Sequence, residues 1–169
     1  MDYLDIALIR CPLYDVSHVV GPYLRECIQG RGRPQNGLGL FFEPSDVDWE
    51  DDIVLHIGDM DKIDFFAPVR PRMNKFMSIL ITPAEGSYRV SSGAAISTLI
   101  THTPREEVVY FRTYDEIVAV EDIHTLFPNL KGLHFNRTPT RDALPELLDP
   151  GGDEEIFPFL RCILIDGMF

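Results

Sequence analysis

Cysteine is scarce in this 169-residue chain: Cys11, Cys27 and Cys162 are its only three. They are odd in number and stand at no spacing that a zinc site or redox motif uses, so they read as reduced, mostly buried thiols rather than a disulfide framework. Bases are also in short supply, with 15 Lys+Arg against 27 Asp+Glu and a formal net charge of −12. Such a charge repels phosphate backbones and anionic headgroups, which argues against nucleic acid and membrane surfaces as partners. No apolar run approaches the ~18 residues that span a bilayer. The opening Met1-Asp2-Tyr3-Leu4-Asp5 lacks the basic start of a secretion signal, so the expected location is the cytoplasm or nucleus.

Catalytic and ligand-binding motifs are lacking too. The five histidines, His18, His56, His102, His124 and His134, show no metal-ligand spacing and no Ser-His-Asp or Cys-His context. Gly86-Ser87 and Ser91-Ser92-Gly93 have neither a nucleophile elbow nor a phosphate-loop lysine. An EF-hand beginning at Asp46 places Asp51 where glycine must turn and Ile57 where the bidentate glutamate belongs. Gly30-Arg31-Gly32-Arg33-Pro34 has the form of a minor-groove hook, but on so acidic a chain it reads as a turn after a helix. No cofactor, no metal and no enzymatic activity are expected on these grounds. Convergence of residues distant in sequence is the one route to a site that motifs do not test.

What is present is a composition suited to a folded domain: 45% apolar and 25% charged residues, in a length that fits one domain. Charge is uneven along it. Residues 1–42 sum to zero, whereas the segment from Glu43 to Asp64 carries nine acids against Lys62 alone. Self-repulsion predicts an acidic, solvated loop region over 43–64. Frequent prolines, 13 in all, exclude long helices. Apolar spacings of three and four predict helices over Val19–Ile28, Ala94–Ile100, Ala119–Leu126 and Asp142–Leu148. Short β-branched and aliphatic runs predict strands at Met77–Ile81, Val108–Phe111, Leu133–Phe135 and Ile163–Ile165.

The chain also repeats a phrase. Leu126-Phe127-Pro128-Asn129 leads into Leu130-x-x-Leu133-x-Phe135, and Ile156-Phe157-Pro158-Phe159 leads into Leu160-x-x-Ile163-x-Ile165. The same L-x-x-Φ-x-Φ spacing, with Φ apolar, recurs at Glu106 (Val109, Phe111) and Phe76 (Ile79, Ile81), and more weakly at Met1, Gln35 and Asp52. In each unit the two Φ side chains of a strand point inward and a helix covers the same layer. Units of this kind bury their apolar faces by stacking. The expected fold is therefore an α/β leucine-rich-repeat solenoid, with a parallel sheet on the concave face and short helices on the convex face. A doubly wound sheet is the first alternative and an α+β fold the second.

From Thr98 to Asp166, the phrases just quoted together with Arg141-Asp142-Ala143-Leu144-Pro145-Glu146-Leu147-Leu148 resemble the irregular leucine-rich repeats of the F-box-like families of mushroom-forming fungi. Val20-Gly21-Pro22-Tyr23-Leu24-Arg25-Glu26-Cys27-Ile28 is similar to an earlier helix of those repeats. The resemblance implies a protein that holds a substrate on its repeats and docks to a ubiquitin-ligase scaffold through an F-box. Nothing here matches the Leu-Pro-x-Glu opening of an F-box, so that link would require an F-box outside this chain. The expectation is a single domain over 1–169 that forms part of a larger receptor.

On this register the outward strand positions form columns on the concave face: Ser78, Val108, Gly132 and Cys162; Leu80, Tyr110, His134 and Leu164; Thr82, Arg112, Asn136 and Asp166. Tyr110, Arg112, His134 and Asn136 combine an amphipathic aromatic, a forked cation and two hydrogen-bonding groups, and are the candidate partner-binding residues. The function expected is a non-catalytic protein–protein interaction module whose partner is a protein. The alternatives are a small intracellular α/β enzyme and a degenerate gene fragment.

Overall fold

A computed structural model describes residues 3–9, 15–44, 53–61, 71–82, 96–113, 120–135 and 157–165. Among the described residues the strands fall where apolar residues alternate in the sequence. These are β1 (Leu4–Ile9), β2 (Leu38–Pro44), β3 (Ile53–Met60), β4 (Met73–Thr82), β5 (Val108–Thr113), β6 (Gly132–Phe135) and β7 (Cys162–Ile165). A π-helical turn (Val16–Val20) runs into α1 (Gly21–Gly30), α2 covers 96–101, and α3 spans Val120–Leu126. The helix expected over Asp142–Leu148 lies outside the described residues.

The strands form one seven-stranded sheet in the order β1-β4-β3-β2-β5-β6-β7. This is a flat mixed sheet and not a leucine-rich-repeat solenoid. β4 pairs antiparallel with β3 and β3 antiparallel with β2, while β1 runs parallel to β4, and β5, β6 and β7 continue parallel from β2. The physical reason is connection length. A parallel crossover needs about a dozen residues or more, and only residues 45–52 separate β2 from β3. Alternation marks a strand but is blind to its direction, so the weak copies at Gln35 and Asp52 are strands that break the solenoid from inside. β4 is consequently separated from β5 by two strands, β3 and β2, rather than standing beside it. The acidic region is also not a loop throughout: Glu43 lies in β2 and Asp59 in β3.

Part of the repeated phrase does have a structural counterpart. Leu130 N–H donates to the Phe127 carbonyl and Leu160 N–H to the Phe157 carbonyl, each at 3.3 Å, so both Phe-Pro-x-Leu stretches make the same turn before a parallel strand. Leu133 and Phe135 stand opposite Ile163 and Ile165 in register. Among the described residues the shared turn is confined to this end of the sheet.

One face of the sheet carries the core. Leu40, Phe42, Leu55, Ile57, Ile79, Ile81, Phe111 and Leu133 pack there against Leu24 and Ile28 of α1, Leu99 and Ile100 of α2, and Ile123 of α3. Leu24 and Ile28 are four apart, which puts both on the buried stripe of α1, and Pro22 is tolerated because it sits in the first turn. α1 ends at Arg31 and Gly32, whose φ of +82° is natural only for glycine, confirming a turn at Gly30-Arg31-Gly32. Arg31 then pairs with Asp59 at 3.1 Å and lies 3.9 Å over the Phe76 ring.

A bulge alters β5. Leu38 stands opposite Val108 but Gly39 opposite Tyr110, so Val109 is the extra residue. Val108 and Phe111 therefore join the main core, whereas Val109 packs with Tyr110 and Met60 in a smaller cluster. The expected inward pair Val109 and Phe111 is thus replaced by Val108 and Phe111.

Candidate functional site

On the face away from the helices, strand register aligns Asp5, Ser78, His56, Phe41, Arg112, His134 and Leu164 in one row from β1 to β7. Side chains alternate across a strand, so all seven share a face. Glu43, two residues beyond Phe41, reaches into this row from β2. Arg112 Nη1 donates to Glu43 Oε1 at 2.9 Å, and His56 Nε2 lies 3.4 Å from Glu43 Oε2. On its other side His56 Nδ1 is 2.6 Å from Ser78 Oγ, which also bonds the Tyr3 hydroxyl. The connected groups come from Tyr3, just before β1, and from β4, β3, β2 and β5.

Proton positions follow from the acceptors. The Glu43 carboxylate only accepts, which favours the His56 proton on Nε2 and leaves Nδ1 to accept from the Ser78 hydroxyl. Tyr3 then donates to Ser78 Oγ. Burial holds the His56 pKa below its ordinary value, helped by Lys75 and opposed by Glu43 and Asp5. The imidazole is therefore neutral at pH 7.

This is the proton connectivity of a nucleophile, a base and an orienting acid. Among the described residues no place for developing negative charge adjoins it. β4 pairs with β1 on one side and β3 on the other through Ser78, so the nearby backbone N–H groups are committed to the ladders and none aims at an oxyanion. Ser78 is itself buried and covered by Tyr3. As built, the row ties strands together.

Of the four sequence-predicted residues, the structure brings three together. Tyr110 Oη lies 3.1 Å from His134 Nδ1, and Arg112 is beside His134 in register. The column assignment shifts by two: Tyr110 stands opposite Gly132 rather than beside His134. Tyr110 and His134 are only 1% and 3% exposed, so neither presents surface in this conformation. Tyr110 packs 5.2 Å from Phe41 by ring centroids, and a Cβ on Gly132 would come within 2.5 Å of the Tyr110 ring. Asn136 lies outside the described residues. Sequence reasoning missed Tyr3, Ser78, His56 and Glu43 as a group. The available signal was a polar residue between apolar neighbours, as in Leu55-His56-Ile57 and Met77-Ser78-Ile79, and only the true strand order converts that signal into a row.

A second feature lies at the N-terminal ends of β2, β5, β6 and β7, the opposite end from the usual ligand crevice of an open α/β sheet. A cleft of about 760 Å³ opens there between the Arg33–Gly37 loop, Glu106 and Glu107, Asn129 and Lys131, and Phe159. Its floor is fixed by backbone. Asn129 Nδ2 donates to the Glu106 carbonyl at 2.8 Å, Lys131 N–H to Val109 at 2.8 Å, and Arg161 N–H to Lys131 at 2.8 Å. Gly37 has φ +91°, and a Cβ there would stand 2.6 Å from Val109, so only glycine lets this loop close on β5. Phe159, 48% exposed, supplies an aromatic at the rim.

Among the described residues, no group of three or more His, Cys, Asp or Glu is placed to hold a metal ion, and no helix is long and apolar enough to cross a membrane. The sequence matches no family model, and a search of curated proteins finds no match to it.

Proposed function

We propose that this chain is a protein-interaction domain of the cytoplasm or nucleus that holds a segment of another protein in the cleft at the N-terminal ends of β2, β5, β6 and β7. The supporting observation is the lining of that cleft. An exposed aromatic, Phe159, stands among charges of both signs, Arg33, Lys131, Glu106 and Glu107, at a volume of about 760 Å³. An aromatic anchor rimmed by mixed polar groups suits a peptide segment. The F-box-like receptor reading supplies a context in which such a segment belongs to a substrate. Its support is the pair of Phe-Pro-x-Leu turns, one of which carries Phe159. Docking to a ubiquitin-ligase scaffold then needs an F-box outside this chain.

The test is selection of peptides from a random library on the purified full chain, followed by backbone amide shift mapping. The expected result is that binders perturb Gln35–Gly37, Glu106 and Asn129, and that Phe159→Ser and Lys131→Glu each weaken them by about tenfold or more. Binders that ignore both substitutions would overturn the reading.

A further inference from the structure

We propose that the outer edge of β1 is a second recognition site, which accepts an extended strand of a partner protein carrying a basic residue between apolar ones. It is separate from the cleft. Among the described residues β1 pairs with β4 alone, so the backbone groups on its other edge have no strand partner. Such an edge is a template for adding a strand.

The surroundings specify what strand fits. Toward the helices, Leu4 and Ile6 are only half-buried although their register partners Met77 and Ile79 are fully buried. Leu4 and Ile6, which pack on the core, are thus less completely covered than the strand inside them. A groove of about 420 Å³ opens beside Leu4, lined also by Glu26, Cys27, Gly30, Arg31, Phe76 and Met77. Arg31 is held there by Asp59 and by the Phe76 ring, so Leu4, Phe76 and Met77 leave room for an apolar side chain of an added strand. On the opposite face Tyr3 is 47% and Ile9 67% exposed, with the exposed carboxylate of Asp5 between them. Side chains of an added strand alternate between these two environments. The residues facing the groove side are therefore apolar, and the one facing Asp5 is Lys or Arg.

Charge decides the occupant. Two copies of this chain meeting edge to edge would bring Asp5 near Asp5 on molecules of net charge −12 each, and like charges across a ladder destabilise it. A basic strand gains from the same field. The second sheet edge, β7, is shorter and has no acid among its residues Cys162–Ile165.

The experiment uses the full chain and two blocked hexapeptides, Val-Lys-Val-Thr-Val-Thr and its Glu counterpart, with binding read by fluorescence anisotropy and location by hydrogen exchange. The Lys peptide is expected to bind about tenfold or more tighter than the Glu peptide, and to slow exchange within Leu4–Ile9. N-methylation of alternate amides, tried in both registers, abolishes binding in one of them. Asp5→Lys inverts the preference. Asp5→Asn, which removes charge alone and serves if Asp5→Lys fails to fold by circular dichroism, equalises the two peptides. Equal binding of both peptides to the unaltered chain, unchanged preference in the folded variants, or a concentration-dependent dimer protected at Leu4–Ile9 would overturn the proposal. Protection at Gln35–Gly37 in place of β1 would also overturn it, while leaving the cleft reading standing. Absence of protection in the cleft leaves the edge proposal intact.

Discussion

Arg112 donates to Glu43 at 2.9 Å across the junction of β5 and β2, the line where the antiparallel strands of the sheet meet its parallel wing. Both side chains are largely screened from water, so each is worth more to the other than an exposed pair would be. Glu43 also faces His56, which makes it the shared acceptor of two cations or donors. Glu43→Gln and Arg112→Ala are each expected to cost about 1–3 kcal/mol, because either weakens a charge-assisted hydrogen bond between two partly buried groups. In a double-mutant cycle read by urea melts, the pair costs clearly less than the sum. Additivity would mean that the seam is held by β2 and β5 packing alone.

How much of this was legible beforehand divides along that same junction. All seven strands fall on Φ-x-Φ runs found by spacing, and Leu133, Phe135, Ile163 and Ile165 occupy the inner layer expected of them. Alternation records which face a residue takes and nothing about its neighbours. Strand direction resides in connection length and strand order in long-range pairing, so the antiparallel pairs β2–β3 and β3–β4 were invisible to the repeat. The bulge at Val109 offsets β2 against β5 by one residue, and independently of it β5 meets β6 two residues away from the expected register. Alternation puts Tyr110, Arg112 and His134 on one shared face, but their mutual spacing differs from the expected columns and two of them are buried. The Ser78, His56 and Glu43 group needed strand direction and register, since β2, β3 and β4 are neighbours in a solenoid too but run antiparallel here, and Tyr3 and Arg112 join it only because β1 lies beside β4 and β5 beside β2.

Acid should loosen the fold before its carboxylates titrate. His56 and His102 both have pKa values held below the ordinary 6.5 of histidine. Burial is the first cause in each, joined by Lys75 at His56 and by Arg25 and His18 at His102. The unfolded chain then binds more protons than the folded one, so stability rises with pH through the window below about 6.5. This contribution is fully present above that value and is lost as pH falls toward the lowered folded pKa values. Thermal melts between pH 7.5 and 5 should show a falling midpoint, with a shallower fall in His56→Gln. A midpoint independent of pH in this range, or one that rises on acidification, would contradict the direction of both shifts.

Gly132 should resist even the smallest side chain. A Cβ added there would stand 2.5 Å from the Tyr110 ring, which is boxed in by Phe41 and His134 and cannot swing aside freely. Gly132→Ala is expected to cost about 1–3 kcal/mol, the range for overpacking a filled core. Shortening the obstacle offers a check. In the background of Tyr110→Ala, which carries its own large cost, Gly132→Ala should add little. An equal penalty in both backgrounds would place the strain in the backbone of β6 instead of in the ring contact.

Ser78 offers the sharpest test of what kind of chemistry this sheet supports. Its hydroxyl meets a neutral imidazole at 2.6 Å, and that imidazole faces a carboxylate, which together favour a nucleophilic alkoxide. Acyl transfer nonetheless requires donors aimed at the oxyanion, and removing a single such donor costs about 10²–10³ in turnover elsewhere. Here the strand backbone on both sides of Ser78 is spent on β1 and β3, and Tyr3 occupies the remaining approach. A fluorophosphonate probe is therefore expected to leave Ser78 unlabelled, as read by intact mass and peptide mapping. Tyr3→Phe removes the covering hydroxyl but not the ring, and should not change that outcome. Labelling at Ser78 that vanishes in His56→Gln would show that the relay is a working nucleophile, and would replace the proposed interaction role with an enzymatic one.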